Sequence, residues 1–249
     1  MKQLVKLFLG AVSFLTRLPV PHGMQFGPDA LSGSTAFFPL VGLLVSAGAI
    51  VLNLVFSKFV GHDVVIVIVL VFLVAVTGGL HEDALADAAD GFGGGWGKDQ
   101  ILNIMRDSRV GSFGVLAIAL ALLARFVFLS NIPPQKFDNY LVAGQVACRW
   151  TALPLAFFLP PAREQSGQGA RVAGKITTFS LVTGTLLTVV IVGAALGANA
   201  LWVFLAAVVI TAASGAYYRR RIGGVTGDCL GATNHVTEVA VYLTGVVLG

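Results

Sequence analysis

Asp83, Asp87 and Asp90 recur at i, i+4 and i+7. On a helix that spacing sets three carboxylates within an arc of about 60°. Like charges on one stripe repel, so a purely structural helix gains nothing from them. A divalent cation removes the repulsion, and hard Mg²⁺ takes such oxygens together with phosphate from a substrate. The stripe therefore reads as a Mg²⁺–phosphate site with Asp83, Asp87 and Asp90 as ligands. Glu82 points about 100° away from Asp83 and is a weaker ligand candidate. His81 is offset from Asp83 by about 200° on an unbroken helix. It is a candidate general base and equally a structural histidine. Six of the chain's 12 acidic residues lie between Glu82 and Asp107.

Basic and polar groups follow. A short helix is expected over 100–109, capped by Asp99, with Arg106 and Arg109 on one side. Arg forks match phosphate oxygens. The alternative, a cationic anchor at the head of a membrane span, leaves the neighbouring Asp107 unexplained. Asp107 is a further candidate ligand or an orienting partner for an Arg. Glycines at 78–79 and 91–97 could let backbone amides approach a phosphate or a flat ligand, or could simply form a flexible loop. A second polar cluster, 223–235, adds Asp228 as a candidate metal ligand and Asn234 and His235 as candidate substrate-binding residues. Arg125 and Arg149 sit inside apolar runs, where a charge defaults to a functional or paired role, with an anionic substrate group or an internal Asp as partner; Arg125, near a span end, could instead snorkel. Cys148 and Cys229 follow no zinc or redox spacing.

The elements that carry these residues are membrane helices. The chain is 56% hydrophobic and 11% charged, with a mean hydropathy of +0.87. Apolar runs fall at about 35–56, 64–80, 112–130, 139–159, 178–197 and 201–218, and a short one at 236–248 contains Glu238. Residues 1–18 are an interfacial segment or a poor span, and 19–33 is an irregular Pro/Gly connection. Continuous rather than alternating runs argue against a β-barrel. The expectation is an all-α polytopic integral membrane bundle of about six to seven membrane helices plus surface or half-helices. It forms a single membrane-embedded catalytic domain over 1–249. The Lys/Arg-rich loops at about 80–111, 160–177 and 219–235 are separated by even numbers of spans, so all three share a face. The positive-inside rule makes that face cytoplasmic. The net charge of +4 belongs to these loops and does not imply nucleic acid.

Three motifs carry a resemblance. They are Gly-Gly-Leu-His-Glu-Asp-Ala-Leu-Ala-Asp-Ala-Ala-Asp-Gly at 78–91, Ile-Met-Arg-Asp-Ser-Arg-Val-Gly-Ser-Phe-Gly at 104–114 and Gly-Gly-Val-Thr-Gly-Asp-Cys-Leu-Gly-Ala-Thr-Asn-His at 223–235. Together with Phe14–Pro21 and Phe38–Gly42, the chain resembles the cobalamin synthases, the adenosylcobinamide-GDP ribazoletransferase family. Position 84 is more usually Gly in that family and is Ala84 here. The resemblance implies a multi-pass enzyme of the cell inner membrane with a cytoplasmic active site and Mg²⁺ as cofactor. Its substrates would be adenosylcobinamide-GDP and α-ribazole or α-ribazole 5′-phosphate. Its products would be adenosylcobalamin or its 5′-phosphate, and GMP. The expected step is phosphoryl transfer onto a sugar hydroxyl, with Arg106 and Arg109 on phosphate oxygens and a stripe carboxylate or His81 taking the proton. Besides the bilayer, a second copy of the chain and other cobalamin-pathway enzymes are candidate partners. Two alternatives compete with it. A CDP-alcohol phosphotransferase would carry Asp-x-x-Asp-Gly-x-x-Ala-Arg, but Phe92 and three glycines follow Gly91. A cation or corrinoid transporter would place its acids at the bilayer midplane in broken helices, not at a span end.

Overall fold

The computed structural model describes residues 2–21, 32–163 and 176–249. Arg171, Lys175 and most of the 19–33 connection lie outside them. The helices are α1 (Lys2–Leu15), α2 (Phe38–Phe56, entered through the 3-10 turn Thr35–Phe37), α3 (His62–Thr77), α4 (Leu80–Gly94) and α5 (Lys98–Ile104). They continue as α6 (Ser112–Asn131), α7 (Pro134–Trp150), α8 (Ala152–Phe158), α9 (Thr178–Leu196), α10 (Ala200–Ile222) and α11 (Gly227–Leu248). Among the described residues there is no strand, only one parallel bridge between Pro161 and Val225.

Four helical segments are long and apolar enough to cross a bilayer: Ser32–Phe56, Ser112–Asn131, Pro134–Phe158 and Thr178–Ile222. The bent pair α3–α4, counted as one span, makes five. That is somewhat fewer than the six or seven expected, because Thr178–Ile222 contains two of the runs. Gly197, at φ +56°, ends α9, and the 3-10 turn Gly197–Asn199 starts α10. Thr188 and Val189 on α9 then line one groove with Phe204 and Ala207 on α10. The run at 236–248 is the second half of α11, which opens at Gly227 behind the N-cap Thr226, whose hydroxyl accepts from the Cys229 N–H.

Outward faces are as apolar as the core. Val71, Leu120 and Val190 are each more than 60% exposed, a surface made for lipid rather than water. Inside, small residues allow close helix approach. A Cβ at Gly42 would collide with the backbone of Gln145, and one at Gly231 with Ala84. α4 is wedged between α6 and α11. The connections that carry the polar motifs meet at one end of the bundle. There Arg163 Nη1 donates to the Leu102 carbonyl at 3.4 Å, and Arg221 Nη2 to the Gly95 carbonyl at 2.9 Å. At the other end Asn53 donates to Asp138 and Lys136 to the Leu248 carbonyl.

Candidate functional site

Two consecutive left-handed glycines make the site possible. Gly78 (φ +67°) and Gly79 (φ +71°) turn the chain by 83° between α3 and α4. Side chains are strained in that conformation, and at Gly78 a Cβ would also run into the Arg17 side chain. The bend starts α4 at Leu80 and aims the aspartate stripe towards the end of the bundle where the loops meet.

The stripe divides. Asp90 is buried, and each of its oxygens accepts one backbone N–H, from Gly111 at 2.7 Å and Gly114 at 2.8 Å. It caps the N-terminus of α6, where amides are otherwise orphaned. A Cβ at Gly111 or Gly114 would collide with the Asp90 carboxylate, which accounts for the glycines of the 104–114 motif. Glu82 also leaves the set. Its Oε1 pairs with Arg125 Nη1 at 2.9 Å, because its position round the helix points it at α6. Asp83 is exposed and Asp87 half-buried. Asp87 feels the negative charge of Asp83, Asp228 and Asp90, and the positive charge of Arg163. The carboxylates brought together are therefore Asp83, Asp87 and Asp228.

Arg163 is the cation of this group. In the sequence the 160–177 connection reads only as a basic loop. Its first residues pair with the strand-like 224–225 segment, Val225 N–H to the Pro160 carbonyl at 2.9 Å and Ala162 N–H to the Val225 carbonyl at 3.0 Å. That pairing sets Arg163 Nη2 3.3 Å from Asp228 Oδ2, which also accepts from the Thr226 hydroxyl at 3.2 Å.

The expected helix at 100–109 ends earlier, at Ile104, and its N-cap is Gly97, not Asp99. Arg106 and Arg109 therefore lie in a turn and do not share a helix face. Arg109 grips Asp107 through Nε (3.0 Å) and Nη2 (2.6 Å), a fork that pulls the half-exposed Asp107 carboxyl down to about 2. Arg106 is exposed. The glycines at 91–95 form no loop. α4 continues through Gly94, and a Cβ at Gly91, Gly93 or Gly95 would strike Met105, Phe113 or Ile101.

Beside the carboxylates lies a cavity of about 120 Å³, lined by Asp83, Asp228, His81 and Asn234 with the apolar Phe14, Phe38 and Leu230. His81 lies 3.4 Å from the Asn234 amide, and both are buried. His81 and Asp83 both lie in the first turn of α4, and the cavity is lined by both of them together with Leu80 and Ala84. His235 does not line it: it is 2% exposed, its ring nitrogens carry no hydrogen bond, and Nδ1 sits 3.9 Å from Glu82. Deeper still, Arg125 bridges Glu82 and Glu238, the latter at 2.9 Å. Glu238 Oε1 also accepts from Gln145 (2.8 Å) and Tyr242 (2.9 Å). Arg149 Nη1 donates to the Gln145 carbonyl and to Gln145 Oε1. The partners of Arg125 are thus internal glutamates on α4 and α11.

Asp83, Asp87 and Asp228 offer hard oxygens, a donor set suited to Mg²⁺. Among the described residues, however, no three His, Cys, Asp or Glu side chains close around one point. The set fits a hydrated ion held by one or two carboxylates and completed by substrate phosphate, which is how Mg²⁺ is commonly bound.

Known proteins agree on what the chain is similar to. The family model described as cobalamin-5-phosphate synthase matches residues 7–247. The adenosylcobinamide-GDP ribazoletransferase of Shewanella pealeana is 35% identical over 255 residues, covering 100% of this chain and 97% of that one. The enzyme of the same name from Shewanella halifaxensis is 36% identical over 255 residues with the same coverage, and that from Shewanella woodyi 33% over 247 residues, 98% and 96%. No solved structure matches. With a match from end to end, and with its three polar motifs gathered at one end of a membrane bundle, the chain belongs to the cobalamin-5-phosphate synthase family.

Proposed function

We propose that this chain is an adenosylcobinamide-GDP ribazoletransferase that works at the cytoplasmic face of the inner membrane with Mg²⁺. A hydroxyl of α-ribazole attacks the phosphorus next to the cobinamide, an O–P bond forms, the diphosphate bridge breaks, and GMP leaves. α-Ribazole 5′-phosphate is also an acceptor in this reading, so the attacking oxygen is a hydroxyl of the ribose ring. The observation that carries the reading is that Asp83 and Asp228, from motifs far apart in the chain, line one cavity mouth.

Asp83 and Asp87 would hold the Mg²⁺, with Asp228 beside them. When bound, the ion neutralises diphosphate charge and stabilises the departing GMP oxygen. Asp228 Oδ2 is held by Arg163 and Thr226, which leaves Oδ1 to take the proton of the attacking hydroxyl. Arg163 would meet a phosphate oxygen while keeping its hold on Asp228. Arg106 and Arg109 extend the positive field outward for the incoming diphosphate. The positive-inside rule supports the cytoplasmic face, since Arg106, Arg109, Arg163 and Arg219–Arg221 all belong to that end.

The test is GMP release by purified protein supplied with adenosylcobinamide-GDP and α-ribazole, with Mg²⁺ and with EDTA. Release that needs both the acceptor and the metal is expected. No release under saturating conditions overturns the assignment, and undiminished release in EDTA overturns the metal.

A further inference from the structure

We infer that the cavity under Asp83 and Asp228 seats the nucleoside acceptor, and that the nucleotide-bearing corrinoid stays outside at the loop end of the bundle. This rests on the transferase reading above and says which of its two substrates goes where.

Size makes the first division. The cavity is about 120 Å³, less than a whole drug-sized ligand occupies. It takes the flat base of a nucleoside, with the ribose at the carboxylates. A corrin ring with its side chains and a guanosine diphosphate is several times bulkier and does not fit.

Polarity makes the second. One wall is aromatic: Phe14 of α1 and Phe38 of α2 stack with centroids 5.7 Å apart and planes 6° from parallel. Leu230 of α11 and Leu80 of α4 add further apolar lining. These surfaces suit a flat bicyclic base that carries methyl groups and few hydrogen-bonding atoms. Guanine, with its ring of donors and acceptors, would leave polar groups unpaired there. The carboxylates mark the polar part of the lining, where ribose hydroxyls belong.

His81 supplies one more polar point. The Asn234 amide is satisfied when its nitrogen faces the Leu230 carbonyl, the Thr151 hydroxyl and the Cys148 carbonyl, at 3.2, 2.8 and 2.7 Å. Its oxygen then faces His81 Nε2, which donates to it and leaves Nδ1 as the acceptor nitrogen. No protein donor meets Nδ1 among the described residues. A ribose hydroxyl donating to it would orient the sugar with its reactive oxygen toward Asp228. His81 is then a binding residue held in one tautomer by Asn234.

The experiment narrows the cavity from a wall that takes no part in charge or metal binding. Ala152 lines it and is 3% exposed. In Ala152→Leu, KM for α-ribazole is expected to rise by about tenfold or more, the factor a few methylenes command in an apolar pocket. KM for adenosylcobinamide-GDP should stay within about twofold of wild type. The riboside of unsubstituted benzimidazole, lacking two methyl groups, should be penalised less than α-ribazole. A melting curve in detergent reports whether the variant folds. If it does not, Leu230→Ala replaces it, with the opposite expectation that ribosides of bases larger than dimethylbenzimidazole become acceptors. A rise in KM for the corrinoid substrate alone, or no change in either KM in a folded variant, overturns the assignment. Wild-type GMP release is measured in parallel, so a protein inactive with both substrates counts against the transferase reading and not against the seating of the nucleoside.

Discussion

The three aspartates of the stripe look alike along the chain and differ in what they touch. Asp87 has carboxylates around it and one arginine nearby, whereas Asp90 has both oxygens on backbone amides. Replacement by Asn separates the two jobs. Asp87→Asn keeps the shape but removes a charge needed for the cation, so kcat should fall by about 10²–10³-fold with the melting temperature unchanged or raised. Asp90→Asn retains one acceptor oxygen and opposes its amide N–H₂ to a backbone N–H. It should cost about 1–2 kcal/mol of stability, the range for a lost helix cap, and leave kcat within about tenfold. Thermal melting and GMP release on the same preparations decide the matter. Equal loss of activity in both, without loss of stability in the second, would return Asp90 to the metal. Spacing alone could not distinguish them, because i, i+4, i+7 describes a metal stripe and a stripe whose last member caps a neighbouring helix equally well.

At the scale of elements, the apolar runs make the helices legible, since continuous hydrophobic stretches near 20 residues have few other uses. The glycines are harder. Gly91, Gly93 and Gly95 suggest a loop, yet they are where α4 and its C-terminal end meet α5 and α6 with no room for a side chain. Glycine marks a tight turn and a close approach with the same letter. Arg163 is hidden in the sequence for a related reason: the backbone pairing of 160–162 with 225 that aims it has no periodic signature. The Gly78-Gly79 bend is the element-scale device with the clearest consequence. Gly79 has open space where a Cβ would go, so Gly79→Ala tests conformation without collision. Strain of about 1–2 kcal/mol is expected from the left-handed backbone. If the chain relieves that strain by opening the bend, Asp83 moves away from Asp228 and activity falls with stability. A Gly79→Ala protein that melts and turns over like wild type would show that the bend does not depend on a left-handed residue there.

For the whole molecule, the stripe is held in place by charge buried behind it. Arg125 joins Glu82 of α4 to Glu238 of α11, and Gln145 and Arg149 of α7 extend the chain of contacts. Two arginines and two glutamates make this set electrically neutral, which a low-dielectric interior demands. Glu82 is the neighbour of Asp83, so the network fixes the start of α4 against the two helices that flank it. Removing Arg125 alone leaves two carboxylates against the single charge of Arg149. Arg125→Met should therefore destabilise the detergent-solubilised protein by about 3–5 kcal/mol. Neutralising one carboxylate as well, in Arg125→Met/Glu82→Gln, leaves Glu238 balanced by Arg149 and should recover more than half of the lost stability. The two variants share every lost hydrogen bond to Arg125, so the difference between their melting temperatures isolates the buried charge. Activity adds a second readout. If the network only stabilises, the double variant should turn over at the wild-type rate once folded; if it also positions Asp83, kcat should stay depressed after stability returns. Melting of Arg125→Met at the wild-type temperature would mean that water reaches the two glutamates and that the clamp is idle.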